Sequence, residues 1–517
     1  APDDESLTGT IEAQLTPTRF VLLGQEIHVF ASTEWRGLAP GALKGARVKV
    51  EGDYHGLRKF SANVVARREP GRDALEGRID RIDARADGID VALMRYVVRI
   101  PKIAKISSSA ALASLALAPE RRVDVTPTQQ RDEDDALRGS LHVGDVTIGG
   151  QVEFKHAAVR EQDLDTTRRD ARDDTETSLR LEAAWEPSDA FFVLASARVR
   201  DYRRVDQDSL DERDTAAVLT EGYVYWRDAL ASGWDVQAGR QDYDERREWI
   251  YDQNLDALRV VRSSVNLRME LSLSTSLSDA SAHDQDTTNW LAYVSNNDYD
   301  KHLAAYCLTR DDRNTGDIAT HVGARAYGAW MPGCDTWADV AYLFGETGVD
   351  EVGAYGFDVG ATWTPWVDGP WFTAGFAHGS GGGIDDTFRQ TGLNDNTDKF
   401  GGTTSFQYYG ELLDPELSNL SIVTLGVGAE IAARTSLDLV VHGYEQDVAF
   451  NRLVNSGVRK QPDGVHTDVG VETDLVLGCK ALENWMFEGV VGCFTPGGAF
   501  PGGDEAWLFR VQARYQF

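Results

Sequence analysis

From about Gly144 to its last residue the chain returns repeatedly to a two-residue alternation of apolar and polar side chains. Val193, Ala195, Ala197 and Val199 interleave with Leu194, Ser196, Arg198 and Arg200. Val322, Ala324, Ala326 and Trp330 do so with Gly323, Arg325 and Tyr327, and Phe357, Val359, Ala361 and Trp363 with Asp358, Gly360 and Thr362. The chain ends on "RVQARYQF", with Val511, Ala513, Tyr515 and Phe517 set against Arg510, Gln512, Arg514 and Gln516. A period of two places each set on its own face of a strand. One face is apolar and often ends in an aromatic, whereas the other carries charge and glycine. Lipid outside, water inside and aromatic girdles at the strand ends account for that combination. Long polar stretches such as "RDDRNTGDIAT" and "GIDDTFRQTGLNDNTDKF" separate the alternating segments. No run approaches the roughly 18 to 20 apolar residues of a spanning helix; the best candidate, Ala110–Ala118, is far too short. The expected fold is therefore all-β. At roughly 20 residues per strand and connection, residues 144–517 give about 18 antiparallel strands, an even number that closes into a transmembrane barrel without an edge. A barrel of that size encloses an aqueous lumen.

Residues 1–100 read as a separate, small β-rich domain. "LTGTIEAQ" at Leu7 and "LEGRIDRID" at Leu75 share Leu-x-Gly-x-Ile followed by an acid, which suggests an internal repeat. Residues 101–143 form a linker or a plug: Pro101–Val125 has helix-compatible order, and "TPTQQRDEDDALRG" follows as a polar stretch. Ala1-Pro2 before Asp3, Asp4 and Glu5 has the look of a mature start left by cleavage. The formal net charge is −31, and residues 1–125 are nearly neutral, so the excess falls on the long remainder and argues against nucleic acid as a partner. Cys307, Cys334, Cys479 and Cys493 lack zinc-ligand spacing; local disulfides, Cys307 with Cys334 and Cys479 with Cys493, suit an oxidising compartment, three pairings are open to four cysteines, and free buried thiols are the alternative.

Four stretches carry a resemblance. "IGGQVEFKHAAVREQDLDT", "AGRQDYDERREWIYDQNLDAL", "GFAHGSGGGIDDTFRQTGL" and "YGELLDPELSNLSIVTLGVG", in that order, resemble the bacterial alginate-export outer-membrane proteins from Gly144 to the C-terminus. The resemblance implies a monomeric 18-stranded barrel that passes a polysaccharide through a charged constriction. It also implies pore roles for Asp252 and Asn254 of "YDQN", for Asp279 downstream and for Glu221 of "TEGYVYW", and it likens Asp447–Val465 to a periplasmic lid. Where the family places lumen arginines, this chain has Thr220, Asp242, Thr397, Phe406, Glu488 and Val490. A guanidinium fork binds successive carboxylates, so its loss removes the reason for a polyuronate to enter. Arg240, Arg246 and Arg247 lie close enough in sequence to restore positive charge, although parity puts Arg240 on the face of Trp234, Val236 and Ala238 unless Gly239 marks a bulge. Trp249, Tyr251, Phe406, Tyr408 and Tyr409 offer either sugar-stacking faces or girdle and loop packing.

Three functions compete. The first is an outer-membrane channel exporting an exopolysaccharide less acidic than alginate. The second is a passive or cation-preferring porin, for which Asp242 and Glu488 would speak. The third is a barrel that anchors a periplasmic or surface assembly through its N-terminal domain. No Ser/His/Asp, metal or phosphate motif has usable spacing, so neither an enzyme nor a cofactor is expected. The expected partners are a polysaccharide, the lipid bilayer with its lipopolysaccharide, and a periplasmic secretion scaffold. The N-terminal domain is expected in the periplasm.

Overall fold

The computed structural model describes residues 5–101 apart from 17–18, 23–24, 37–45, 55–58, 68–73, 77–78, 86–87 and 94–95. It also describes residues 141–517 apart from 144–145, 168–169, 189, 208–210, 265–266, 278–285, 297–300, 332, 348–349, 367–368, 383–385 and 483. Every regular element among these residues is a strand. The proposed linker or plug at 102–140, and with it nearly all of Pro101–Val125, lies outside the described residues, as does Asp279.

The chain forms two compact units, Ala1–Gln130 and Arg131–Phe517. In the first, Glu5–Thr16, Arg19–Leu22, Gln25–Arg36, Lys59–Arg67 and Arg47–Tyr54 pair in that order, and the last pairs back with the first. This small ring buries Leu7, Ile11, Leu22, Ile27, Val48, Val50 and Val65. Ala74–Glu76, which contains the second copy's Leu75, pairs with Glu5–Thr16. A separate three-stranded sheet follows: Ile79–Arg85, Gly88–Leu93 and Tyr96–Pro101.

The second unit is a barrel in which eighteen antiparallel strands run from Val146–Arg160 to Ala506–Gln516 and the last pairs with the first. A further short strand, Leu141–Val143, adds to the first strand alone. "RVQARYQF" is the closing strand: Val511 is 52% exposed on the outer face, while Arg510 and Arg514 turn inward to ion pairs. Phe517 and Gly150 exchange two backbone hydrogen bonds and complete the seam. Exposed Leu179, Leu181, Leu271, Leu273, Val423, Leu425 and Phe509 give the barrel an apolar outside, as a lipid-facing wall requires.

Strand direction sorts the connections into two ends. Turns such as Ala231–Trp234, Met331–Cys334 and Ala432–Thr435 are short and share the end where the barrel's first strand begins and its last one finishes. The opposite end carries the long connections, among them 161–170, 245–251, 380–419 and 447–467. Asp447–Val465 is therefore at the end opposite the barrel's two chain ends, and it cannot be a periplasmic lid if those ends are periplasmic. The expected disulfides are also absent, since all four cysteines are free thiols. Register explains why. Cys479 faces Phe487 across the ladder, and Cys493 lies six residues further along that strand. At about 3.3 Å per residue that is roughly 20 Å, well beyond a disulfide's reach. Cys307 faces Val322 and Cys334 faces Met331, nine residues apart on one strand.

Candidate functional site

Gly379 and Leu420 are directly paired neighbours, so the 380–419 connection is far longer than closure needs. It folds into the barrel and, with 245–251, brings Trp249, Phe388, Phe406, Tyr408 and Tyr409 into a core where each is almost fully buried. Phe406 meets Phe400 edge-on at 5.1 Å, and Trp249 stacks on Phe388 at 6.2 Å. Tyr251 is buried against Tyr243. All five aromatics expected to offer sugar-stacking faces are thus packing residues here.

The plug is fastened by charge as well. Arg247 pairs with Asp358 at 2.7 Å and lies between the rings of Trp337 and Tyr408, 4.2 and 4.1 Å from their centroids. The Tyr408 hydroxyl donates to the Arg247 carbonyl, and the Trp249 indole N–H donates to the Tyr409 oxygen. Arg247 and Glu248 both adopt positive φ, 77° and 48°, a conformation that non-glycine residues hold only under surrounding constraint. Across the barrel, Glu411 accepts both terminal nitrogens of Arg510 at 2.5 and 2.8 Å, and Arg510 also reaches Glu488 at 3.0 Å. Glu472 accepts the backbone N–H groups of Leu412 and Leu413 at 2.6 and 2.9 Å. Loop 447–467 joins in, with Gly457 N–H donating to the Leu413 carbonyl.

What remains open is a cavity of about 280 Å³ between the plug's edge at Glu411 and Leu412 and the inner face of the first three strands and the closing strand, with Lys155, Arg172, Asp174 and Tyr202 in its wall. The inward positions of those first strands carry Lys155, Arg172, Arg180, Arg198, Arg200 and Arg204, and Arg180 stands directly opposite Arg198. The adjoining wall, Thr435–Gln446, Asp468–Cys479 and Trp485–Pro496, turns Asp438, Glu472, Asp474 and Glu488 inward.

Of the residues expected to line the pore, Glu221 faces inward beside Ser196, at a bulge that Thr220 creates. Glu488 also faces inward, buried beside Arg510. Register keeps Arg240 on the face of Trp234, Val236 and Ala238, and the positive φ of Gly239 does not transfer it to the lumen. There it pairs at 3.3 Å with Asp256, the residue directly opposite, on the same face as exposed Leu258. Asp242 and Asn254 oppose each other one step further along that face. Arg246 reaches through the interior to pair with Asp335, one residue past the short Met331–Cys334 turn, and lies over the Tyr327 ring. Asp252 joins Glu248 and Asp395, with carboxylate oxygens all within 4.8 Å of one another, an arrangement able to hold a shared proton or a cation. Burial and the charges of Asp252, Asp395 and Asp244 push the Glu248 carboxyl up to about 10.

The interior holds arginines at positions other than the family's six. Arg259 pairs with Glu270, Arg325 with Glu245 and Asp339, Arg247 with Asp358, and Arg510 with Glu411 and Glu488. Arg510 lies directly opposite Val490, one of the six positions where an arginine was missed. Arg510 was visible in the sequence as the polar face of the last strand; Glu411, inside a loop, gave no periodic signal.

The family model described as "Alginate export" matches residues 145–508, and that of a domain of unknown function, DUF5666, matches residues 8–63. Over 222 residues the chain is 29% identical to the alginate production protein AlgE of Pseudomonas aeruginosa, covering 36% of this chain and 44% of that protein. The chain thus spans less than half the length of that curated relative. Among solved structures, OccK5 (OpdH) and OccK7 (OpdD) of the same organism each superpose with a TM-score of 0.50 at 10% identity. They cover 72% of this chain and 98% and 99% of their own. At that identity they show the fold alone.

Proposed function

Because the chain belongs to the alginate-export family, we propose that it is a channel through which an exopolysaccharide leaves the cell, and that this glycan is less acidic than alginate. The barrel lies in the outer membrane. The family match across nearly the whole barrel carries the export reading. The finer statement rests on how the interior arginines are used. Arg247, Arg259, Arg325 and Arg510 are each committed to protein carboxylates, and a guanidinium already neutralised offers a polyuronate little. Asp438, Glu472 and Asp474 hold inward positions on strands whose inward residues include no arginine. A weakly charged chain crosses such a lumen without the like-charge cost that successive uronates would meet.

In this reading the lumen is a conduit rather than a catalytic centre, with Glu221 and Glu488 as wall residues. The short-turn end faces the periplasm, the N-terminal domain is periplasmic, and a secretion scaffold is its expected partner. The closed ring works as a monomer. The test is genetic: deleting the gene abolishes release of cell-derived polysaccharide into the medium, and the full chain restores it. Continued release of an unaltered polysaccharide by the deletion strain contradicts the reading.

A further inference from the structure

We propose that the plug is a gate whose movable edge is Gly410–Leu413 and whose bolt is the Glu411 carboxylate in the guanidinium fork of Arg510. The inference goes beyond export, because a gate of this kind would govern whatever the lumen carries.

The plug has two unlike sides. On one, large aromatic rings and the Arg247–Asp358 pair bury it against the wall, with Tyr409 donating to Asp358 at 3.1 Å. That side is an anchor, since removing it would expose a hydrophobic core and a buried charge. The other side borders the remaining open space: Glu411, Leu412 and Arg510 all line the cavity. There polar contacts add to the packing of Leu412 and Leu413, which are buried in the same core. The polar contacts are the bidentate Glu411–Arg510 pair, the two N–H bonds to Glu472, and the Tyr444 hydroxyl donating to the Tyr409 carbonyl at 2.8 Å.

The edge also has a hinge residue suited to the closed position. Gly410 has φ of +115°, and a Cβ there would lie 2.2 Å from the Tyr444 oxygen, so only glycine lets the edge lie this close to the wall. Glu488 keeps its hold on Arg510 when Glu411 leaves, so the wall half of the bolt stays in place and the gate can close again. Withdrawal of this edge widens the cavity along the first three strands while the aromatic anchor remains seated.

Two variants test the gate, both in full-length protein in planar bilayers. Glu411→Gln removes the charge and keeps the shape. We expect about a tenfold rise in open-state occupancy, the change produced by roughly 1.4 kcal/mol. The second variant locks the gate. A Cβ at Gly492 would lie 3.5 Å from Leu412 Cβ, within disulfide range, so Leu412→Cys with Gly492→Cys should close the channel when oxidised and reopen it on reduction. The bond is confirmed by mass spectrometry. Unchanged gating in E411Q, or full conductance in the verified cross-linked form, overturns the gate. A gate that responds in both variants while no glycan interrupts the current leaves this proposal standing and removes the export reading. Glycan block without any response to either variant does the reverse.

Discussion

Arg247 shows how much one side chain can hold in place. It is buried, paired with Asp358, and enclosed by Trp337 and Tyr408. Truncating one member of a buried ion pair leaves the other uncompensated, at about 3–5 kcal/mol. Arg247→Ala is expected to lower the unfolding free energy of the purified barrel, measured in urea, by an amount within that range, and Arg247→Lys to recover only part of it because the planar fork is lost. Its neighbour Glu248 makes the same connection sensitive to pH. Burial and three nearby carboxylates raise its carboxyl from the ordinary carboxylate range to about 10. A raised folded-state value means that the stabilisation is complete below the ordinary carboxylate range and is lost as pH rises through about 10. Docking of 245–251 should therefore weaken progressively on alkalinisation. Hydrogen exchange of these amides, corrected for intrinsic rates, should show falling protection across that window, and Glu248→Gln should flatten the dependence.

At the scale of the strand, alternation makes a sharp claim about adjacent residues. Val511 is 52% exposed on the outer wall, and Gln512 beside it faces the lumen opposite Glu488 and Lys155. Val511→Arg places a charge against lipid and should cost about 2–4 kcal/mol near the bilayer midplane. Gln512→Arg should cost much less, and unfolding of both variants in liposomes compares them directly. This outward and inward assignment was legible in eight residues because a period of two is a local property of the chain. The plug was not, because polar composition says that a segment is a connection and not where it goes. The signal available was Phe388, Phe400, Phe406, Tyr408 and Tyr409 in one connection, since so many rings need a core to pack in. The part played by Arg510 escaped for a related reason. Comparison by position looks along one strand, whereas Arg510 and Val490 are neighbours across two.

At the scale of the molecule, the barrel and its plug are separable parts. Gly379 pairs with Leu420 without help from the residues between them, so replacing 380–419 by a short hairpin turn should leave a folded barrel with a much larger conductance. A loss of the folded, heat-resistant form would show instead that the plug is part of the barrel's stability. Charge across the lumen then sets what passes through it. The central claim is that this lumen conducts a glycan chain of low charge, and single-channel recording of the full-length protein with oligosaccharides as blockers tests it most directly. The account predicts interruptions by long neutral glycans, with weak block by polyuronates of equal length and a preference for cations. Selective block by polyuronates would contradict the charge argument, and free passage of ions that no glycan interrupts would contradict export altogether.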